Sequence, residues 1–414
     1  MKGPVASGGL RVIATMSGKG GGSSPLAELA QNVANERQRT ERIVLSGHVQ
    51  GVGFRPFVYR LAQRHRLAGR VQNQLGQVEV IATGPAATLQ RFAQELIDLS
   101  PPLSRPSIES VDIVGFEDFA AFEITESSAA AEARIFVPQD FFMCDDCLEE
   151  LRDPGDRRFR YPFINCTQCG PRYTLIEALP YDRPSTSMAG FPLCADCEAE
   201  YQDPSDRRFH AEPVACPVCG PQLSFVDKQG QDKTGSEEAL LAAIDRLQDG
   251  HIVAVKGIGG YHLMCDARSY TAIDELRRRK QRPAKPLAVM FPLEGKDGLD
   301  AVRRCADLTP DEAALLVSPG RPIVLARKNG NYELARNVAP GLSEVGAFLP
   351  YSPLHTLLLD EYGSPLVATS ANISGEPVLT DNTEVEMRIA DIVDAYLHHD
   401  RPIVRPADDP VYRR

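Results

Sequence analysis

The 414 residues contain no tryptophan, and no apolar run approaches the 18 residues that would mark a membrane-crossing helix. A surplus of basic charge is also missing: 45 Lys and Arg stand against 56 Asp and Glu, a net charge of −11. A general electrostatic grip on nucleic acid is therefore disfavoured, and only a local basic site would serve that purpose. The N-terminus has no apolar core of the signal-peptide kind, so the expectation is a cytoplasmic protein with no membrane partner. What is present is 43% apolar and 24% charged residues, enough for packed cores and too much for wholesale disorder. At about 150 residues per domain, the length suggests several domains.

The ten cysteines are the most informative residues. Eight form four CxxC pairs: Cys144/Cys147, Cys166/Cys169, Cys194/Cys197 and Cys216/Cys219. The spacing is C-x2-C-x18-C-x2-C, repeated after 24 residues. In a large chain with no export signal this pattern means metal rather than disulfides. Four thiolates at that spacing match tetrahedral zinc, and a closed set of four cysteines leaves no open position for a substrate. Two structural zinc ions are expected. Spacing leaves open whether the pairs close within each repeat or across repeats. The arrangement resembles a treble-clef or ribbon finger, a type that often binds nucleic acid, but the acidic balance weighs against that role. Cys265 and Cys305 stand apart and read as small buried hydrophobes.

The same region is duplicated. Asp153-Pro-Gly-Asp156-Arg157-Arg158-Phe159 returns as Asp203-Pro-Ser-Asp206-Arg207-Arg208-Phe209, an offset of 50 residues that the cysteines share. This sets the domain boundaries. Residues 1–40 read as a flexible tail. Its run at 17–23 falls short of a phosphate loop, because Gly20 stands where Ser or Thr is required. A marginal helix is expected over 26–36. Residues 41–128 read as a small unit of order βαββαβ. Strands are expected at 43–45, 69–73, 78–83 and 108–122, with helices after Gly53 and Pro85. Residues 129–225 hold the duplicated module. Residues 226–414 alternate buried-type strands with helices, a mixed α/β domain.

Gln50, Gly51, Val52, Gly53 and Phe54 form a glycine-rich turn between a strand and a helix, with Arg55 at the helix start. Glycines let backbone amides converge on an anion, and an Arg fork binds phosphate oxygens. A plain tight turn would explain the glycines equally well. The full string, however, resembles the acylphosphatase signature, and Gly69-x-Val71-x-Asn73-x-x-Gly76 resembles that family's second motif. The resemblance implies the ferredoxin-like βαββαβ fold, with Arg55 holding an acyl phosphate and Asn73 orienting the attacking water.

Three clusters mark the last domain. Lys256 opens a glycine-rich stretch at a strand end. Lys280, Arg282 and Lys285 lead into a strand. Ser370 and Asn372 follow another. Strand ends are where α/β folds place ligands, and these groups suit a nucleotide triphosphate. For the basic cluster the plainer reading is a solvated helix end. Together the clusters resemble the YrdC-like family, which makes acyl-adenylates from ATP. By that resemblance Lys280, Arg282 and Lys285 face phosphates, while Ser370 and Asn372 contact the nucleotide and a small acyl group.

Taken in order, the three units resemble the HypF family of carbamoyltransferases over residues 41–414. The stretch Gly53-Phe-Arg-Pro-Phe-Val-Tyr59 is closer to that family than to free acylphosphatases. The resemblance implies that the first unit splits carbamoyl phosphate to carbamate. The third would then join carbamate to ATP, with Mg²⁺, as carbamoyl-adenylate. The acceptor it implies is the C-terminal cysteine of HypE, in the maturation of NiFe-hydrogenases. The family's large transfer domain would begin near 405–414, so the expectation is a fragment or a naturally short relative without that site. Threonylcarbamoyl-AMP synthesis for tRNA modification is the alternative and rests on the last unit alone. A symmetric homodimer is a default expectation, with no interface legible in the sequence.

Overall fold

The computed structural model describes residues 38–74, 76–125, 138–179, 181–230, 232–372 and 376–413. Nearly all of the tail lies outside these, with the 17–23 run and the helix expected over 26–36; so do Leu75, Ile373, Ser374 and Gly375. Among the described residues no helix is long and apolar enough to cross a membrane.

The first unit runs β1 (Gln38–His48), α1 (Phe54–Arg64), β2 (Ala68–Gln74), β3 (Gln77–Pro85), α2 (Ala86–Asp98), β4 (Arg105–Val114) and β5 (Phe122–Ile124). Its sheet has the order β4-β1-β3-β2-β5. Val58, Leu61 and Ala62 of α1 and Leu89, Phe92 and Leu96 of α2 fall at helical spacing. They cover Ile43, Leu45, Val71, Val78 and Val80 of the sheet. The single strand expected over 108–122 is two. β4 ends at Val114, and the chain crosses to the far edge, where β5 runs parallel to β2. Buried Phe122 drives this crossing, since it joins the core with α1 rather than extending the exposed β4 edge.

The second unit holds two short helices, α3 (Asp145–Arg152) and α4 (Ala195–Gln202), each starting just after the first cysteine of its repeat. The duplicated turns fold alike. Asp153 and Asp203 accept from the amides of Gly155 and Ser205 at 2.9 and 2.8 Å, and Asp156 and Asp206 from those of Arg158 and Arg208 at 2.7 Å. The two copies then cross. Arg157 and Arg158 bind Glu200 of the second copy; Arg207 and Arg208 bind Glu150 of the first. Each repeat therefore holds the other in place.

The third unit opens with β6 (Leu223–Asp227), β7 (Asp232–Thr234), α5 (Ser236–Gln248), β8 (Val253–Lys256), β9 (Tyr261–Asp266), α6 (Tyr270–Arg279) and β10 (Ala288–Met290). It continues with α7 (Asp300–Arg303), β11 (Ala306–Asp307), α8 (Pro310–Leu316), β12 (Ile323–Lys328), β13 (Glu344–Phe348) and α9 (Pro353–Tyr362). It closes with β14 (Leu366–Ser370), α10 (Asn382–Arg388), β15 (Ala395–His399) and β16 (Val411–Tyr412). The strands form one mixed sheet, β11-β12-β13-β10-β14-β9-β8-β15-β6-β7, with β16 beside β12. Strand alternation assigns its two faces. Ala254, Leu263 and Val367 point to one core. Val253, Val255, Met264 and Leu366 point to another, which is completed by Leu151, Phe163 and Ile164 of the finger unit. The finger and the sheet thus share one apolar core.

Candidate active sites and metal centres

The cysteine sets close within each repeat. In the first, Sγ–Sγ distances are 3.7 Å for Cys144–Cys166, 3.8 Å for Cys166–Cys169 and 3.5 Å for Cys147–Cys169. In the second, Cys194–Cys216 and Cys216–Cys219 are each 3.7 Å. Thiolates about 2.3 Å from a tetrahedral zinc lie about 3.8 Å from one another, so both sets already have the shape of a zinc centre with four sulfur ligands. All eight are free thiols. Four thiolates around Zn²⁺ carry excess negative charge, and the crossed arginines answer it. Arg207 donates to Cys147 Sγ at 3.2 Å; Arg157 and Arg158 donate to Cys197 Sγ at 3.3 and 3.4 Å. Cys265 and Cys305 are buried in the sheet's core.

The glycine-rich loop joins β1 to α1. Gly51 and Gly53 have φ of +69° and +71°, and a Cβ on either would press on Pro138 or Thr167 of the finger unit. The loop is also tied to that unit. Arg172, buried, donates to the Gly51 carbonyl at 2.8 Å and to those of Cys166 and Thr167 at 3.0 Å. Arg55, on the first turn of α1, is buried and does not face open solvent. Its Nη1 lies 2.9 Å from Asp182 Oδ1 and its Nη2 2.8 Å from Glu212 Oε1. Burial opposes the charge on Arg55, but the two carboxylates hold its pKa above the ordinary value. Burial pushes the Glu212 carboxyl up, against the pull of Arg55. His210, half-buried near Arg55, is pushed down to about 4 by burial and then by the Arg55 charge, and stays neutral. Asn73 Nδ2 donates to the Tyr181 carbonyl at 3.5 Å, whereas Asn73 Oδ1 and Gln50 Oε1 are buried with no donor. Gln50, Gly51, Gly53, Phe54, Arg55 and Asn73 line one small cavity, roofed by Thr167, Tyr181 and Glu212 of the finger unit. Val52, in the same loop, points into the first unit's core.

In the third unit, Arg282, Lys285, Ser370 and Asn372 line one cleft of about 330 Å³, together with Asp408 and Asp409. Lys280 reaches it through a bond to the Ser370 carbonyl. Arg282 donates to Thr369 Oγ1 at 3.2 Å, and Ser370 Oγ to Asn372 Oδ1 at 3.0 Å. Burial, and then the charges of Arg282 and Lys285, push the Lys280 ammonium down to about 8. Lys256 does not line this cleft. It donates to Asn382 Oδ1 at 2.6 Å and to the His399 carbonyl at 3.1 Å, and it lies between the sheet and the finger beside Arg401. Burial, then Arg401, lowers its pKa to about 8. A second cavity of about 380 Å³ shares Asp408 and Asp409 and is walled by Phe142, Tyr173 and Arg321. Arg321 stacks 3.9 Å over the Phe142 ring, and its buried Nε and Nη1 have no hydrogen-bond partner.

Three family models tile the chain in this order: Acylphosphatase over residues 41–124, HypF finger over 143–176 and 193–226, and the Sua5/YciO/YrdC model described as Telomere recombination over 245–413. A carbamoyltransferase HypF from Synechocystis is 49% identical over 373 residues, which is 90% of this chain and 48% of that protein. The chain is homologous to the HypF proteins. A crystal structure of full-length HypF, described as phosphate- and nucleotide-bound, matches at TM-score 0.85 and 42% identity, covering 91% of this chain and 48% of that one. The chain thus spans about half the length of the HypF proteins it matches. A mouse threonylcarbamoyl-AMP synthase is 35% identical over 146 residues, only 35% of this chain. A match of that length leaves most of the chain uncovered.

The sequence did not point to Asp182, Glu212 or Arg172. A signal existed for Glu212. The duplication breaks after Phe159 and Phe209, where Arg160-Tyr-Pro-Phe163 is replaced by His210-Ala-Glu-Pro213. The departure from the repeat delivers the carboxylate to Arg55.

Proposed function

We propose that this chain performs the two activating steps of a HypF carbamoyltransferase: it splits carbamoyl phosphate at the Arg55 loop and joins the resulting carbamate to ATP at the Lys280 cleft. The observation that carries this reading is the presence of both sites in one HypF-like chain, a loop with Arg55 and Asn73 and a cleft with Arg282, Lys285, Ser370 and Asn372. At the first site the loop amides and Arg55 hold the phosphoryl oxygens, and Asn73 Oδ1, free of any donor, places a water. Little acid–base help is needed, because an acyl phosphate is already activated. Carbamate decays in water, so a buried, roofed site suits its release. At the second site a carbamate oxygen attacks the α-phosphorus of ATP, and the bond to pyrophosphate breaks, leaving carbamoyl-AMP. Lys280, Arg282 and Lys285 take phosphate charge. Mg²⁺ comes with the triphosphate, and Asp408 and Asp409 are the carboxylates in reach of the cleft. Delivery of the carbamoyl group to HypE is part of the proposal and rests on similarity to HypF proteins about twice as long.

The purified chain is expected to release phosphate from carbamoyl phosphate, and Arg55→Ala to lower that rate by about 100-fold or more. Hydrolysis that is absent, or indifferent to Arg55, would overturn the first half. The second reading, threonylcarbamoyl-AMP synthesis, is favoured only by the local match of the third unit. Adenylate formation that requires threonine and bicarbonate would support it.

A further inference from the structure

We infer that Glu212, supplied by the second finger repeat, is the specificity residue of the Arg55 site, reading the amide nitrogen of carbamoyl phosphate and turning away acyl phosphates with a methyl group there. The inference rests on the reading of that site as a carbamoyl-phosphate site. Acetyl and carbamoyl phosphate have the same size and charge and differ in one group, a methyl against an NH₂ with two hydrogens to donate. Discrimination therefore needs hydrogen-bond acceptors at the acyl end.

The site has an excess of them. Glu212 is 2% exposed, and its Oε2 accepts from Tyr201 Oη at 2.8 Å and from the Arg183 amide at 2.9 Å. Those two donors fix the carboxylate and leave Oε1 directed at Arg55, 2.8 Å from Nη2. Gln50 Oε1 is buried in the same small cavity, unpaired, in addition to the Asn73 oxygen that places the water. A carboxylate beside a phosphate-binding arginine is unfavourable by charge alone. It is compatible with catalysis where a donor on the substrate meets it. A buried site built to bond an N–H rejects the analogue that lacks it strongly, because its acceptors are then left unpaired. Free acylphosphatase units have no finger to supply this group, so the preference belongs to the fused chain.

Glu212 could instead merely brace Arg55, and the two roles separate in one experiment. kcat/KM for hydrolysis of carbamoyl and of acetyl phosphate is measured for the wild type, Glu212→Gln and Asp182→Asn, each checked for two bound zinc ions. The wild type is expected to prefer carbamoyl phosphate by about 100-fold or more. In Glu212→Gln the carbonyl is held by Tyr201 and the Arg183 amide, so an NH₂ replaces Oε1. The preference should fall at least about tenfold, by loss on carbamoyl phosphate. Asp182→Asn removes the same charge from Arg55 and should keep the ratio. Equal losses on both substrates in Glu212→Gln would show bracing and overturn the inference. So would a wild-type preference below about tenfold, with no variant needed. A wild type that splits neither compound would overturn the carbamoyl-phosphate reading itself.

Discussion

Lys280 shows how a single side chain is set for an anion. It is half-buried, two further cations stand beside it, and its ammonium is pushed down to about 8. A bound triphosphate favours the charged form, so binding and protonation are linked. Below pH 8 the free protein already carries the proton. As the pH rises through 8 the proton is lost, and binding must restore it. Nucleotide affinity should therefore weaken from pH 7 to pH 9, approaching about tenfold per unit beyond pH 8. Lys280→Arg, charged throughout, should flatten that decline. Titration of a nucleotide at both pH values checks it, and a wild-type affinity independent of pH would contradict it. At this scale the sequence was legible where a contiguous motif is concerned: Arg55 and Asn73 line one cavity, and Arg282 and Ser370 one cleft. It was silent on Asp182, Glu212 and Arg172, which reach the loop from more than 100 residues away by tertiary folding. Lys256 stands in a motif of the right kind, yet its ammonium is spent on Asn382 and His399.

At the scale of elements, the duplicated finger is two halves that brace each other. Arg158 is 1% exposed and fixed by Glu200 and by the Ala215 carbonyl at 2.8 Å. Removing Arg158 leaves the buried Ala215 carbonyl without this donor and Glu200 with Arg157 alone, at a cost of roughly 1–3 kcal/mol. Arg158→Ala should destabilise the chain by about that amount and speed chelator extraction of zinc from the second repeat. Arg207→Ala should speed extraction from the first, because it donates to Cys147. Zinc release followed with a colorimetric chelator would decide this, and faster loss from the mutated repeat itself would contradict the crossed arrangement. The duplicated Asp-Pro-x-Asp-Arg-Arg-Phe string was plain in the sequence, but the crossing was not, since a repeat looks the same whether its halves pair within or across. The misread strand at 108–122 has a related cause. Phe122 looks like the end of the preceding apolar run, and only its burial against α1 assigns it to the other edge.

Over the whole molecule the finger unit is the joint. One of its faces roofs the Arg55 loop, and its interior continues into the core beneath the large sheet. Zinc binding there is folding free energy. Stripping zinc should therefore remove amide-exchange protection from the finger and from the sheet strands that share its core. The first unit's own core, which draws almost wholly on residues 43–124, should stay protected. Loss of protection confined to the finger would contradict a shared core. The same arrangement places the two proposed sites on either side of the finger module, and their joint operation is the central claim. It is tested most directly by ATP–pyrophosphate exchange on the intact chain, with and without carbamoyl phosphate, in wild type and Arg55→Ala. Exchange that requires carbamoyl phosphate and disappears in Arg55→Ala is the predicted result. Exchange that ignores carbamoyl phosphate, or that survives unchanged in Arg55→Ala, would contradict it.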